Sequence, residues 1–169
     1  MIKGLHHNAY RCRDSEETRK FYEDFLGLPL VHTLKIEQTI TGRNTGASVL
    51  HTFFQLDDGS CIAFFEAPDM PFEFKQQHDF DLHIALEVSP EDLDRMFAKG
   101  KAEGREVRGV SDHHFIRSIY FRDPNGYVIE LSAKVAGQEG ALNPATNGAR
   151  AKLDDWQARK LADAEAARG

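Results

Sequence analysis

His83-Ile84-Ala85-Leu86-Glu87-Val88 opens on a histidine and alternates in the manner of a β-strand. It echoes His7-Asn8-Ala9-Tyr10-Arg11-Cys12, 76 residues earlier. The same offset carries Phe21 onto Phe97. These phenylalanines fall in two segments of amphipathic helical spacing, Ser15 to Leu26 and Pro90 to Glu103. Each segment runs into a glycine, Gly27 or Gly104, suited to a C-terminal cap. Strand-like stretches and a turn follow in both halves, Asp57-Asp58-Gly59 in the first and Asp123-Pro124-Asn125-Gly126 in the second. Each turn leads into a short β-rich run, Cys61 to Phe65 or Tyr127 to Leu131, so each half reads β-α-β-β-β. The turns are offset by only 67 residues, from Gly59 to Gly126, so the first half carries extra residues before His83. Ala67 to Phe80, with Pro68, Pro71 and several aromatics, is the expected insertion.

These signals place module one at residues 1–66, a connector at 67–80 and module two at 81–133. Gly137, Gly140, Pro144 and Gly148 mark a linker, and Leu153 to Arg168 is Ala-rich and charged, so residues 134–169 are expected to be a linker and a C-terminal helical tail. A chain of 169 residues has room for about one domain. With 41% hydrophobic and 28% charged residues it can bury a core. The net charge of −6 has the wrong sign for a partner bound by neutralising phosphates, which argues against nucleic acid. No apolar run approaches the roughly 18 to 20 residues needed to cross a bilayer, and Met1-Ile2-Lys3-Gly4 does not lead into a signal peptide's apolar region. No membrane association and a cytoplasmic location are expected. Two thiols make no disulfide framework, and Cys12 and Cys61 are expected to be reduced and buried.

His7 and His83 hold equivalent places on the first strand of each half, and Glu130 lies in the last strand of the second. If the halves pack side by side, these side chains converge as two imidazoles and one carboxylate, a facial set with open positions that suits a redox metal. The alternative for each histidine is a hydrogen-bonded structural role, and Glu130 can instead pair with a base such as Arg122. The register of the two histidines favours the metal. So does the apolar setting Tyr127-Val128-Ile129-Glu130-Leu131-Ser132, where an unpaired carboxylate is costly to bury.

From about Leu5 to Ala133 the sequence resembles the vicinal oxygen chelate superfamily, which includes glyoxalase I, extradiol dioxygenases, methylmalonyl-CoA epimerase and the fosfomycin and bleomycin resistance proteins. The resemblance rests on His6-His7-Asn8-Ala9, on Phe21-Tyr22 with Leu26-Gly27-Leu28, and on Asp123-Pro124-Asn125-Gly126-Tyr127-Val128-Ile129-Glu130-Leu131. It implies an α+β fold in which two βαβββ modules form a curved mixed sheet around a metal cleft, within a single domain over residues 1–133. It also implies a divalent metal on His7, His83 and Glu130. Of the adjacent pair, His7 keeps the family's distance to Phe21-Tyr22 and is in register with His83, and His6 is expected to face the other side of the strand.

The position equivalent to Glu130 in the first half, four residues after Gly59, is Ala63, where glyoxalase I-like members place a further ligand. Glu66 is an odd step away and is expected on the opposite face. A three-ligand site resembles the extradiol branch. The signature of that branch is matched by His113, Ile119-Tyr120, Asp123-Pro124-Asn125-Gly126 and Glu130 in order, with a departure at Ser111, where it has Gly, Asn, Thr, Ile or Val. The resemblance implies that His113 and Tyr120 hydrogen-bond the substrate, and that His51, 44 residues after His7, is the acid/base group, a surface histidine being its alternative. Phe53, Phe54, Phe115, Phe72 and Phe74 either wall a planar substrate or pack in the core. The expected activity is oxidative: extradiol ring cleavage of a small aromatic diol with O2, using Fe(II), with Mn(II), Zn(II), Ni(II) or Co(II) as other metals. The alternatives are a glyoxalase I-like lyase or isomerase using Zn, Ni or Co, and a metal-free drug-binding resistance protein. Sheet edges point to a homodimer or higher homo-oligomer.

Overall fold

Asp14 and Ser89 start the two module helices. Asp14 Oδ1 accepts from Glu17 N at 2.7 Å and Ser89 Oγ from Asp92 N at 3.0 Å. Each bond satisfies an N–H that a helix start leaves without a partner. These caps are seen in a computed structural model of the chain, which describes residues 1–37, 48–74, 78–137 and 140–168. Residues 75–77 of the connector and 138–139 of the linker lie outside the described residues.

The elements run β1 (His7–Arg11), α1 (Ser15–Arg19), a π-helical segment (Lys20–Phe25), β2 (Leu30–Ile36), β3 (Val49–Gln55), β4 (Cys61–Glu66), β5 (His83–Glu87), α2 (Pro90–Ala102), β6 (Val107–Asp112), β7 (Ile116–Arg122), β8 (Val128–Lys134) and α3 (Ala149–Ala166). The strands form two four-stranded sheets, ordered β1-β4-β3-β2 and β5-β8-β7-β6. The second order is the first with every index raised by four, so the βαβββ duplication is realised in topology as well as in sequence. In the first sheet β1 runs parallel to β4, and β2, β3 and β4 are antiparallel neighbours, which makes it mixed.

The first helix departs from the expected regular run over residues 15–26. After Arg19 it widens, with Leu26 N donating to Phe21 O at 3.0 Å. The wider turn lets Phe21, Tyr22 and Phe25 all face inward. Gly27, at φ +87°, then ends the segment in the left-handed region.

By compactness the chain divides into two units, one of Met1–Ile84 with Tyr120–Glu130 and one of Ala85–Ile119 with Leu131–Gly169. In the first, Tyr22, Phe54, Phe64 and Ile62 are essentially without solvent exposure. Tyr22 stacks on Phe54 at 5.5 Å and meets Phe64 at 4.8 Å. Each such side chain contributes about 1.5–3 kcal/mol by burial. In the second, α2 buries Leu93 and Met96, while Ser118 and Ser132 hydrogen-bond at 3.1 Å among buried strand residues. The tail is helical as expected, but α3 has no buried residue. Cys12 is buried and Cys61 only half-buried, because the Asp57–Gly59 turn leaves the start of β4 near solvent; both are free thiols.

Candidate metal centre

Strand β8 is buried at every position from Val128 to Ala133, so Glu130 carries a carboxylate into an apolar strand at 6% exposure. Its partner is His83 rather than Arg122: the His83 Nε2 atom is in direct contact with Glu130 Oε2. On the other side of the imidazole, His83 Nδ1 lies 3.3 Å from the carbonyl oxygen of Asp79. In the neutral ring, donation from Nδ1 leaves the Nε2 lone pair for a cation, whereas a hydrogen bond to the Glu130 carboxylate requires a proton on Nε2. Arg122 pairs instead with Asp79 Oδ1 at 2.5 Å, which ties the end of the connector to β7. Tyr120, also on β7, has its hydroxyl 3.5 Å from Glu130 Oε1, at the outer limit of a hydrogen bond, and its ring 6.2 Å from that of His83. His83, Tyr120 and Glu130 therefore form one group, positioned by Asp79. Sequence spacing gave no signal for Asp79, because it lies in the connector and acts through its backbone carbonyl.

A second group forms on the first sheet. His51 on β3 is 6% exposed, stacked on Phe65 at 3.8 Å and tilted against Phe53 at 4.1 Å. The register explains this, since His51 lies opposite Phe65 and both occupy one face of the sheet. Burial holds the His51 imidazole below its ordinary pKa, although its bond to the Phe64 carbonyl works the other way. With Nδ1 at 2.9 Å from that carbonyl oxygen, the neutral ring donates from Nδ1 and keeps Nε2 as an acceptor. His7 lies beside it, 5.8 Å from His51 and 5.2 Å from Phe53 between ring centres.

His6 does not turn to the opposite face. Its ring meets His7 edge to face at 5.0 Å, and the two Nδ1 atoms are 2.7 Å apart. Strand β1 begins at His7, so the alternation that would send His6 away does not extend to it. Ala63 is fully buried on β4, paired with Ala9 and Phe53, and offers no donor. Glu66 points elsewhere: its Oε2 accepts from Ser15 N at 2.7 Å at the start of α1.

Thus the candidate donors fall into two groups, His83 with Glu130 and His7 with His6 and His51. Among the described residues, no three His, Cys, Asp or Glu side chains form a group that could hold a metal ion. His113 lies in the exposed turn between β6 and β7, in the second compact unit, where its backbone N–H donates to Ile116 O at 2.9 Å. Of the candidate wall residues, Phe54 is a core residue, Phe53 contacts the imidazoles, Phe72 and Phe74 pack together in the connector, and Phe115 is half-buried in the second unit.

The sequence pattern of the Glyoxalase/Bleomycin resistance protein/Dioxygenase superfamily matches residues 4–131. The chain belongs to this superfamily. Several solved superfamily structures resemble it. A fosfomycin resistance protein from Listeria monocytogenes, solved with Mn(II) and sulfate, is 25% identical at a TM-score of 0.58, over 82% of this chain and 98% of that one. A glyoxylase/bleomycin resistance protein/dioxygenase domain from Frankia is 18% identical at 0.61, over 81% and 96%. An antibiotic-binding protein from Streptomyces is 20% identical at 0.57, over 79% and 98%. The last two bear on the fold alone. The superfamily match leaves α3 outside its span, in keeping with the absence of any buried residue there. No helix among the described residues is long and apolar enough to cross a membrane.

Proposed function

We propose that this superfamily member is a divalent-metal enzyme that opens the ring of a catechol-type diol beside its hydroxyl groups, using dioxygen. The observation that carries the reading is the contact of His83 Nε2 with the Glu130 carboxylate, with the Tyr120 hydroxyl at the other carboxylate oxygen. The donor chemistry fits a cation: an imidazole fixed by its Nδ1 side faces a nearly buried carboxylate whose charge a metal would neutralise. His83 and Glu130 would hold the metal, with His7 completing the set in place of its contact with His6. Fe(II) bound there would supply Lewis acidity and the electron transfer that lets dioxygen react with a singlet organic molecule.

The chain's own residues account for binding and proton handling. His51, neutral and with Nε2 as an acceptor, takes the proton of a diol hydroxyl. Tyr120 donates a hydrogen bond to a substrate oxygen next to the metal carboxylate. Phe53 and Phe65 hold His51 in place by stacking. Both atoms of O2 end in the product, one in a carboxylate and one in an aldehyde or ketone, so no outside reductant is needed.

A second reading, a lyase or isomerase reaction without oxygen at the same donors, is favoured by the similarity to the Mn(II)-bound fosfomycin resistance protein. One experiment separates the two. Protein loaded anaerobically with Fe(II), or with Mn(II), is given catechols and oxygen, and separately fosfomycin or a glutathione hemithioacetal. Stoichiometric oxygen uptake with a yellow ring-opened product supports ring cleavage. Turnover of the other substrates with no oxygen uptake overturns it.

A further inference from the structure

Arg11, the last residue of β1, faces a cavity of about 190 Å³ bounded by Cys12 and Arg13 on one side and by connector residues that include Met70, Phe72 and Phe74. A water occupies about 30 Å³ in the liquid, so the space is several waters in size. Arg11 Nη2 donates to the carbonyl oxygens of Ala67 at 3.1 Å and Met70 at 2.9 Å, and the guanidinium carbon stands 5.1 Å from the centre of the Phe72 ring. Its Nε–H is buried with no acceptor. None of the ion pairs among the described residues includes Arg11, whereas Arg13 is taken by Glu17 at 2.5 Å.

A guanidinium stays charged at any physiological pH, and two carbonyl dipoles do not neutralise it. A buried N–H without an acceptor adds the cost of its lost hydration. A carboxylate supplies the missing counter-charge, its oxygens accepting from the terminal N–H groups of the guanidinium, while Nε, which has no accessible surface, stays out of a cavity ligand's reach. Apart from Arg13, which is paired with Glu17, the remaining wall is apolar and aromatic, with Phe72 and Phe74 packed edge to face at 4.6 Å. Such a wall suits an apolar ligand body and disfavours a strongly hydrated dianion.

We propose that this cavity binds an aromatic carboxylate, with the carboxylate on Arg11 and the ring against Phe72 and Phe74. The site is separate from the His83–Glu130 group and does not rest on the metal reading.

The test titrates benzoate, its neutral counterpart benzamide, and inorganic phosphate into the full chain, followed by backbone amide NMR shifts and calorimetry. Benzoate is expected to shift Cys12, Met70 and Phe72, and benzamide and phosphate to bind about tenfold or more weakly. Arg11→Met is expected to lose a similar factor and Phe72→Ala a smaller one. Because Arg11 also holds the connector, Arg11→Met can loosen it; the comparison of ligands on the wild-type chain does not depend on that variant. Benzoate binding is expected unchanged in Glu130→Gln. No benzoate binding at millimolar concentration, equal binding of benzamide or phosphate, shifts away from these residues, or loss of binding in Glu130→Gln each overturn the proposal.

Discussion

Tyr22 donates a hydrogen bond from its hydroxyl to Asp123 Oδ2 across 3.0 Å, joining residues 101 apart in the chain. Asp123 is the hub of the second hairpin turn. Its Oδ1 accepts from Asn125 N and Tyr127 N at 2.9 and 2.8 Å, and Asn125 Nδ2 reaches Oδ2 at 3.0 Å. Asn125 Oδ1 in turn accepts from Arg13 N at 2.8 Å. Two motifs that mark the superfamily in the sequence, Phe21-Tyr22 and Asp123-Pro124-Asn125-Gly126, are therefore bonded directly to each other. The turn leads straight into β8 and so sets where Glu130 sits.

Removing one hydroxyl tests that link. Tyr22→Phe keeps the ring and its packing on Phe54 but takes a donor from a buried carboxylate. It is expected to lower stability by about 1.5–3 kcal/mol, the usual range for a hydrogen bond to a charged group. Urea unfolding should show a lower midpoint at an unchanged slope.

The pH dependence of the same group has a definite sign. Burial pushes the Asp123 carboxyl above its ordinary value of 3.8, against the opposing pull of its hydrogen bonds to Asn125, Tyr127 and Tyr22. A carboxyl raised on folding favours its protonated form in the folded chain. Its contribution to stability is fully present below the unfolded value and is lost as pH rises through the folded one. Carbon-13 NMR of the Asp side chains should show one carboxyl titrating above the ordinary aspartate range, and that resonance should vanish in Asp123→Asn.

Metal binding and turnover should separate at the candidate centre. His83→Ala and Glu130→Ala each remove one member of the contacting pair, and metal content after Fe(II) loading and desalting is expected to fall at least tenfold. Tyr120→Phe should keep the metal and slow turnover by about 10²–10⁴-fold if its hydroxyl handles a proton. Retention of metal by Glu130→Ala would remove this carboxylate from the ligand set.

The two thiols should differ in reactivity. Burial pushes the Cys12 thiol up to about 11, whereas Cys61 is raised by a smaller desolvation at the edge of its strand. Mass spectrometry after timed alkylation at pH 8 should find Cys61 modified first and Cys12 protected until the chain unfolds.

Because α3 buries no residue, ending the chain after Asn147 is expected to change the unfolding free energy by no more than about 0.5 kcal/mol, as for exposed surface changes in general. A larger loss, measured by urea unfolding, would assign the helix a structural contact.

The repeat, the order of strands and helices, and both turn glycines were legible in the chain itself. Strand alternation, helical spacing and left-handed turn residues are local properties, carried by His7 to Cys12, His83 to Val88, Gly59 and Gly126. The buried setting of Glu130 was legible too, because its strand has no polar face. What lay beyond the sequence was which groups meet. The π-helical turn after Arg19 depends on how Phe21, Tyr22 and Phe25 fill the interior, and the Tyr22–Asp123 bond on packing across 101 residues. Asp79 orients His83 through a backbone carbonyl, which side-chain identity cannot reveal. His6 turns to His7 because the strand starts one residue later than alternation assumes. Periodicity assigns residues to faces, but only packed tertiary structure decides which atoms on those faces come within bonding distance.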